Sequence, residues 1–137
     1  MRLLIAMLFL AAVPEDLVSR FDKWLSSNLG RPYVWGATGQ RSYDCSGFVW
    51  RMLTDNGILI KRTTARKLYM ITQPLERGEK PEFGSLVFFD DLKHVGIVRD
   101  AHTFFHAQTG TGTTHSPFAP FWRQKIVGFH KLPIGAR

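Results

Sequence analysis

The spacing of apolar residues changes character once along this chain, and that change constrains the fold more than any other feature. Up to residue 57 the recurrence is helical. Leu17, Phe21, Trp24, Leu25 and Leu29 follow the opening Pro14-Glu15-Asp16 and stop at Gly30. Cys45, Phe48, Val49, Met52 and Leu53 fall at i, i+3, i+4, i+7 and i+8, with Asp44 placed as N-cap and Asn56-Gly57 as the stop. From residue 85 the pattern becomes short β-rich runs at 85–89, 94–98, 103–106 and 125–130, separated by turn residues at Asp90-Asp91 and Arg99-Asp100. Helices first and strands after, with no βαβ alternation, predict an α+β domain with helices packed on an antiparallel sheet. The stretch 31–40, rich in glycine, reads as an ordered loop, and Thr109-Gly110-Thr111-Gly112-Thr113-Thr114 as a mobile loop directly after His106.

The chain has 137 residues, 45% hydrophobic and 13% aromatic. A chain of that size buries roughly two-thirds of its unfolded surface, which excludes disorder and a disulfide-dependent mini-fold. We read residues 14–137 as one domain preceded by an apolar segment, 1–13. After Met1 and Arg2 comes an unbroken apolar run of eleven residues, 3–13, containing the small pair Ala11-Ala12. It reads as a secretory signal, with a buried N-terminal helix as the alternative. A bilayer span takes about 20 apolar residues, so stable membrane insertion is not expected. The net charge of +7 suits nucleic acid, an anionic membrane surface or an acidic polymer. Lys61, Arg62, Arg66 and Lys67 are the densest basic cluster, but no stacking aromatics alternate with them, so nucleic acid is disfavoured and a solvated helix face accounts for the cluster.

The single cysteine, Cys45, excludes an intramolecular disulfide and a thiolate zinc cluster. Its predicted place in the first turn of a helix exposes it to the positive helix end, which together with an imidazolium lowers a thiol's pKa and favours a nucleophilic thiolate. The same backbone N–H groups stabilise an oxyanion. A small buried hydrophobe is the competing reading. A nucleophile of this kind needs a base, and His94 and His106 are the candidates, each at the end of an apolar strand. If those strands are adjacent and antiparallel, the turn at Arg99-Asp100 lets the two histidines meet across the sheet, one orienting the other, with Gly96 leaving room. His102, His115 and His130 read as polar residues without a catalytic role.

Several separate motifs, in order, carry a resemblance. Arg31-Pro32-Tyr33-Val34-Trp35-Gly36, Tyr43-Asp44-Cys45-Ser46-Gly47-Phe48-Val49, Gly57-Ile58 with Arg62-Thr63-Thr64, Phe83-Gly84-Ser85-Leu86-Val87-Phe88-Phe89, His94-Val95-Gly96-Ile97-Val98 and Phe105-His106-Ala107 together resemble the NlpC/P60 family of bacterial cell-wall cysteine peptidases over roughly residues 15–132. The resemblance implies a papain-like fold with Cys45 as nucleophile, His94 as base and His106 as orienting residue. It also implies that Tyr33, Asp44 and Ser46 line the substrate groove, Tyr33 near the oxyanion site. One departure is visible: Ser85 stands where the family usually has Asp, which puts the local loop in question.

The activity implied by the resemblance is hydrolysis of the γ-D-glutamyl to diamino acid amide in peptidoglycan stem peptides, without metal or organic cofactor. Alternatives are an N-acetylmuramoyl amidase, a secreted antibacterial or phage-type lytic effector, or an inactive wall-binding module. The implied partners are peptidoglycan or its stem peptides and, for a delivered effector, an inhibitor or immunity protein. The expected state is a monomer, exported to the periplasm or exterior, or cytoplasmic before delivery if it is an effector or phage protein.

Overall fold

Backbone pairing draws the second half of the chain into one antiparallel sheet, and the helices of the first half cover one of its faces. The structure is a computed structural model describing residues 14–37, 39 and 41–134; the apolar run at 3–13 lies outside the described residues. In chain order come α1 (Glu15–Ser27), α2 (Cys45–Asp55), α3 (Ala65–Ile71), β1 (Leu86–Phe89), β2 (His94–Val98), β3 (Thr103–Gln108), β4 (Gly112–Pro117), α4 (Pro120–Arg123) and β5 (Ile126–His130). The strand order is β4-β3-β2-β1-β5 and every neighbouring pair is antiparallel. This is the α+β architecture that the sequence predicts.

Side chains alternate across a strand, so the continuous apolar run of β1 serves two cores. Leu86 and Phe88 join Val95, Ile97 and Phe105 beneath the helices, against Phe21, Phe48, Met52 and Leu53. Val87 and Phe89 face the other way, into a smaller cluster with Val98, Phe104 and Phe118 that Trp122, Ile126 and Phe129 partly cover. Each fully buried Leu or Phe contributes about 1.5–3 kcal/mol, which makes the helix-side core the main source of stability.

Leu17, Phe21 and Leu25, four residues apart, form the buried stripe of α1, while Glu15 and Asp16 occupy its first turn. Its end is tied to α2 by the Trp24 indole, which donates to Asp55 Oδ2 at 2.8 Å. In α3, which the sequence does not announce as a separate helix, the Thr64 hydroxyl caps by accepting from the Lys67 N–H, and Ala65 and Leu68 are buried. Arg66 and Lys67 are exposed there, as a solvated helix face requires.

One expectation fails. Only residues 109–111 of the threonine-glycine stretch form a turn; Gly112, Thr113 and Thr114 begin β4, in register with Gln108, Ala107 and His106 of β3. Thr113 is 2% exposed. Its Oγ1 accepts from the Arg31 N–H and donates to the Asn28 carbonyl, tying the strand to the end of α1. Composition suggests mobility, but cross-strand pairing and these distant bonds fix the segment. The Ser85 substitution does not disturb its loop either: its Oγ accepts from the Glu82 N–H at 3.1 Å and closes the turn before β1.

Candidate active site

Asp44 sets the position of Cys45. As N-cap of α2 its carboxylate accepts from the Gly47 N–H at 2.6 Å, and it also takes the Gly36 N–H at 2.9 Å and the Ser46 hydroxyl at 3.3 Å. Arg62 completes the set with an ion pair at 2.8 Å. The same guanidinium donates to Ser46 Oγ at 3.0 Å and to the Thr63 carbonyl. Gly47 is required here, because a Cβ would collide with the Ala37 carbonyl and with Asp44 Oδ1. Asp44 and Ser46 are therefore both buried and bonded, holding the loop, the helix start and Arg62 together.

Cys45 occupies the first position of α2 and is 7% exposed. Its Sγ lies 3.7 Å from the Lys93 carbonyl oxygen, and the amides of Val95, Ser46 and Cys45 itself also point at the sulfur. Those amides favour the thiolate. Burial first, and the Asp44 carboxylate second, outweigh them, so the thiol sits above its ordinary pKa. The expectation of a depressed thiol pKa, drawn from the helix end and an imidazolium, is thereby corrected: burial depends on distant packing that sequence position does not report.

The backbone carrying Lys93 is unusual. Asp90, Asp91 and Leu92 have φ of 56°, 57° and 65°, three consecutive left-handed residues with side chains. Such conformers persist only where the surroundings over-determine them. Here the Asp90 N–H donates to the Lys125 carbonyl, the Lys93 N–H returns to the Asp90 carbonyl, Arg66 donates to the Asp91 carbonyl, and Leu92 packs on the helix-side core. The turn delivers the Lys93 carbonyl to Cys45 and starts β2 at His94.

His94 and His106 meet as the sequence predicts: His94 Nε2 and His106 Nδ1 are 2.8 Å apart. Gly96 permits it, since a Cβ there would crowd the Phe105 carbonyl, the Phe104 ring and the Cβ of His106. Beyond, His106 Nε2 is 2.8 Å from Ser116 Oγ on β4. Two opposite proton assignments satisfy this line; in the one that leaves His94 Nδ1 a free lone pair, as a base requires, His94 Nε2–H donates to His106 Nδ1 and His106 Nε2–H to Ser116 Oγ. Burial holds His94 down to about 4 and His106 down to about 3, so both are neutral at pH 7.

Tyr33 flanks the site. A short bridge between Tyr33 and Tyr43 fixes its strand segment beside the Asp44 cap. Burial raises its phenol pKa first, followed by Cys45 and Asp44, while a hydrogen bond with Thr109 opposes them. The phenol therefore keeps its proton at neutral pH, and the turn at residues 109–111 borders the site through Thr109.

A cleft of about 620 Å³ opens beside Cys45, with the exposed indole of Trp35 on its rim and Arg62, Arg66 and Lys93 along its wall. Asp44 is the sole carboxylate among its lining residues, and Arg62 already neutralises it. Sequence reasoning missed three participants: Ser116, the Asp44 partner role of Arg62, and Trp122, which stacks on His94. No periodic signal marks Ser116: Gly112 to Pro117 has no alternation of apolar and polar residues and reads as a loop by composition. His102 and His115 are exposed, and His130 bonds Thr72 Oγ1 at 2.9 Å away from this site. No group of three or more metal-ligating side chains occurs among the described residues.

Comparisons with known proteins bear on the family and the fold. The model of the NlpC/P60 family matches residues 30–131. The chain is 32% identical over 108 residues to the probable endopeptidase p60 of Listeria seeligeri, covering 77% of this chain and 20% of that protein. It is 34% identical over 103 residues to a probable endopeptidase NlpC homolog of Haemophilus influenzae, covering 74% and 53%. The chain thus spans about a fifth to a half of the length of these relatives. Among solved structures, an NLP/P60 family protein of Staphylococcus aureus similar to a lipoprotein superposes with a TM-score of 0.77 at 25% identity, over 88% of this chain and 42% of that one. RipD of Mycobacterium tuberculosis, described as a non-catalytic NlpC/p60 domain adapted to peptidoglycan binding, shares the fold with a TM-score of 0.68 at 15% identity, over 83% and 95%. With a matching family model across most of its length, this chain belongs to the NlpC/P60 family.

Proposed function

We propose that this domain is a cysteine endopeptidase that hydrolyses an amide bond in peptidoglycan stem peptides, the γ-D-glutamyl to diamino acid bond, at the cell wall outside the cytoplasmic membrane. The observation that carries the reading is the hydrogen-bonded line His94, His106, Ser116, which begins one residue after Lys93, whose carbonyl lies 3.7 Å from the sulfur of a helix-capped cysteine. Relatives named as peptidoglycan or p60 endopeptidases support it. The basic cleft wall suits a carboxylate-rich polymer.

At the start of the reaction Cys45 is a thiol and His94 a neutral imidazole. Sγ attacks the amide carbonyl carbon while its proton passes to the free lone pair of His94 Nδ1. The carbonyl oxygen takes up the displaced electron pair and is met by the first-turn amides of α2 and by the Tyr33 hydroxyl. As the tetrahedral adduct collapses, the C–N bond breaks and His94 returns the proton to the leaving amine, leaving a thioester on Cys45. Water, activated by the same imidazole, then attacks the thioester and restores the thiol. His106 keeps His94 in the productive tautomer and Ser116 keeps His106 in its own. Asp44, already accepting from four donors, caps and clamps rather than binding a substrate ammonium.

The test is mass spectrometry of defined stem peptides and of peptidoglycan fragments after incubation with the protein and with Cys45→Ala. Cleavage after the γ-D-glutamyl residue, absent in the variant, supports the reading. Release of whole stems from muramic acid would assign an amidase, and binding without any product would assign a wall-binding module.

A further inference from the structure

The mechanism uses Cys45, His94, His106 and Ser116, but leaves unexplained the largest side chain that touches the histidines. The Trp122 indole is stacked on His94, with centroids 5.5 Å apart and planes at 25°, and stands edge-on to His106 at 5.0 Å and 85°. Phe89 and Phe104 hold the indole from the sides at 5.1 Å and 5.5 Å. Its helix is fixed as well: the Trp122 N–H donates to the Ala119 carbonyl, and the Trp122 carbonyl accepts from Lys125, whose own carbonyl takes the Asp90 N–H of the turn before His94. With its face on His94 and its edge on His106, the indole is placed to act on the imidazoles.

We propose that Trp122 is a positioning residue whose indole face stabilises the protonated form of His94, offsetting the burial of that ring at the moment it takes the proton of Cys45. This rests on the reading of His94 as the base for Cys45. The physical argument is differential. A neutral imidazole gains ordinary ring packing from the indole, whereas an imidazolium also gains the attraction of a cation for the negative ring face. Only the second is specific to the charged state, so it lowers the barrier without tightening substrate binding. His106 on β3 contacts His94 directly, and Asp90 in the preceding turn acts on it through its charge; Cys45 on α2 meets the carbonyl of the neighbouring Lys93. Of these Asp90 also favours the cation, while burial opposes it.

The experiment compares wild type with Trp122→Phe, which keeps an aromatic face, and Trp122→Leu, which keeps apolar cover without one. Trp122→Met serves as the second non-aromatic cover, and circular dichroism selects the variants that fold. Alkylation of Cys45 by iodoacetamide is followed by intact-protein mass spectrometry at pH 7 and on the alkaline plateau of each variant's own pH–rate curve. The proposal expects the non-aromatic variants to react about tenfold slower at pH 7, Trp122→Phe to stay within about threefold of wild type, and all to converge on the plateau, where the thiol ionises without help from His94. Equal rates at pH 7 for aromatic and non-aromatic variants, or a loss that persists on the plateau, would overturn it. On a cleaved stem peptide the same order should appear in kcat with KM unchanged. Absence of cleavage by wild type would count against the proposed function, and the alkylation series would still decide the role of Trp122.

Discussion

In the proposed mechanism the two faces of the sheet carry different halves of the chemistry. Under the helices lies the main core, and from it α2 presents Cys45 at a capped helix end whose carboxylate is saturated with donors. On the opposite face a small aromatic cluster, partly covered by α4, holds His94, His106 and Trp122. The halves come together at the start of β2, where the strained turn at Asp90, Asp91 and Leu92 brings the Lys93 carbonyl to the sulfur. On the proposed mechanism the difference is a division of labour: the proposed nucleophile sits on the deeply packed side, and the proposed proton-handling groups on a thinner layer of rings and hydrogen bonds.

That contrast can be broken from either side, most severely at the sulfur. Cys45→Ala should remove hydrolysis by at least about 10³-fold while leaving the circular dichroism spectrum and cooperative unfolding intact, since only one small side chain leaves the core. Full activity in this variant would end the nucleophile assignment. On the other face, His106→Ala should lower kcat by about 10- to 100-fold, the usual cost of losing an orienting partner. His106→Asn or His106→Gln should recover part of it through a side-chain acceptor. Equal and total loss in all three would contradict an orienting role. Ser116→Ala, one step further along the line, should cost only about 3- to 10-fold in kcat, and an unchanged rate would remove Ser116 from it.

A smaller effect concerns stability. His94 and His106 stay neutral in the folded protein down to about 4 and about 3, against 6.5 for an ordinary histidine. The unfolded chain therefore binds more protons below pH 6.5, and stability falls as the pH drops from 6.5 towards these values. His106→Asn removes one such group, so its Tm should drop by about 5 °C less than that of wild type between pH 7 and pH 4.5. Parallel Tm curves would show that the aromatic face does not impose this cost.

Much of this arrangement is legible in the sequence because it rests on local signals. Asp44 before an apolar stripe announces α2, and the short β-rich apolar runs at 86–89 and 94–98, bounded by turn residues, announce their strands. The meeting of His94 and His106 needs only a hairpin between β2 and β3 and a glycine at 96. What escaped depends on long-range contacts. β4 looks like a flexible loop by composition, yet it is fixed by pairing with β3 and by Thr113 bonds to Asn28 and Arg31, more than eighty positions away. Ser116 went unnoticed with it. α4 is four residues long and carries no periodicity, so Trp122 could be placed only by the rings around it. The raised thiol pKa likewise comes from burial that no local motif encodes.

The central claim is that Cys45 from one face and His94 from the other work as a single unit. It is tested most directly by the pH dependence of Cys45 alkylation by iodoacetamide in wild type, His94→Ala and the control His115→Ala. The account predicts that His94→Ala slows the reaction at pH 7 by about tenfold or more and moves the rise in rate to higher pH, while His115→Ala tracks wild type. Superimposable curves for wild type and His94→Ala would contradict it.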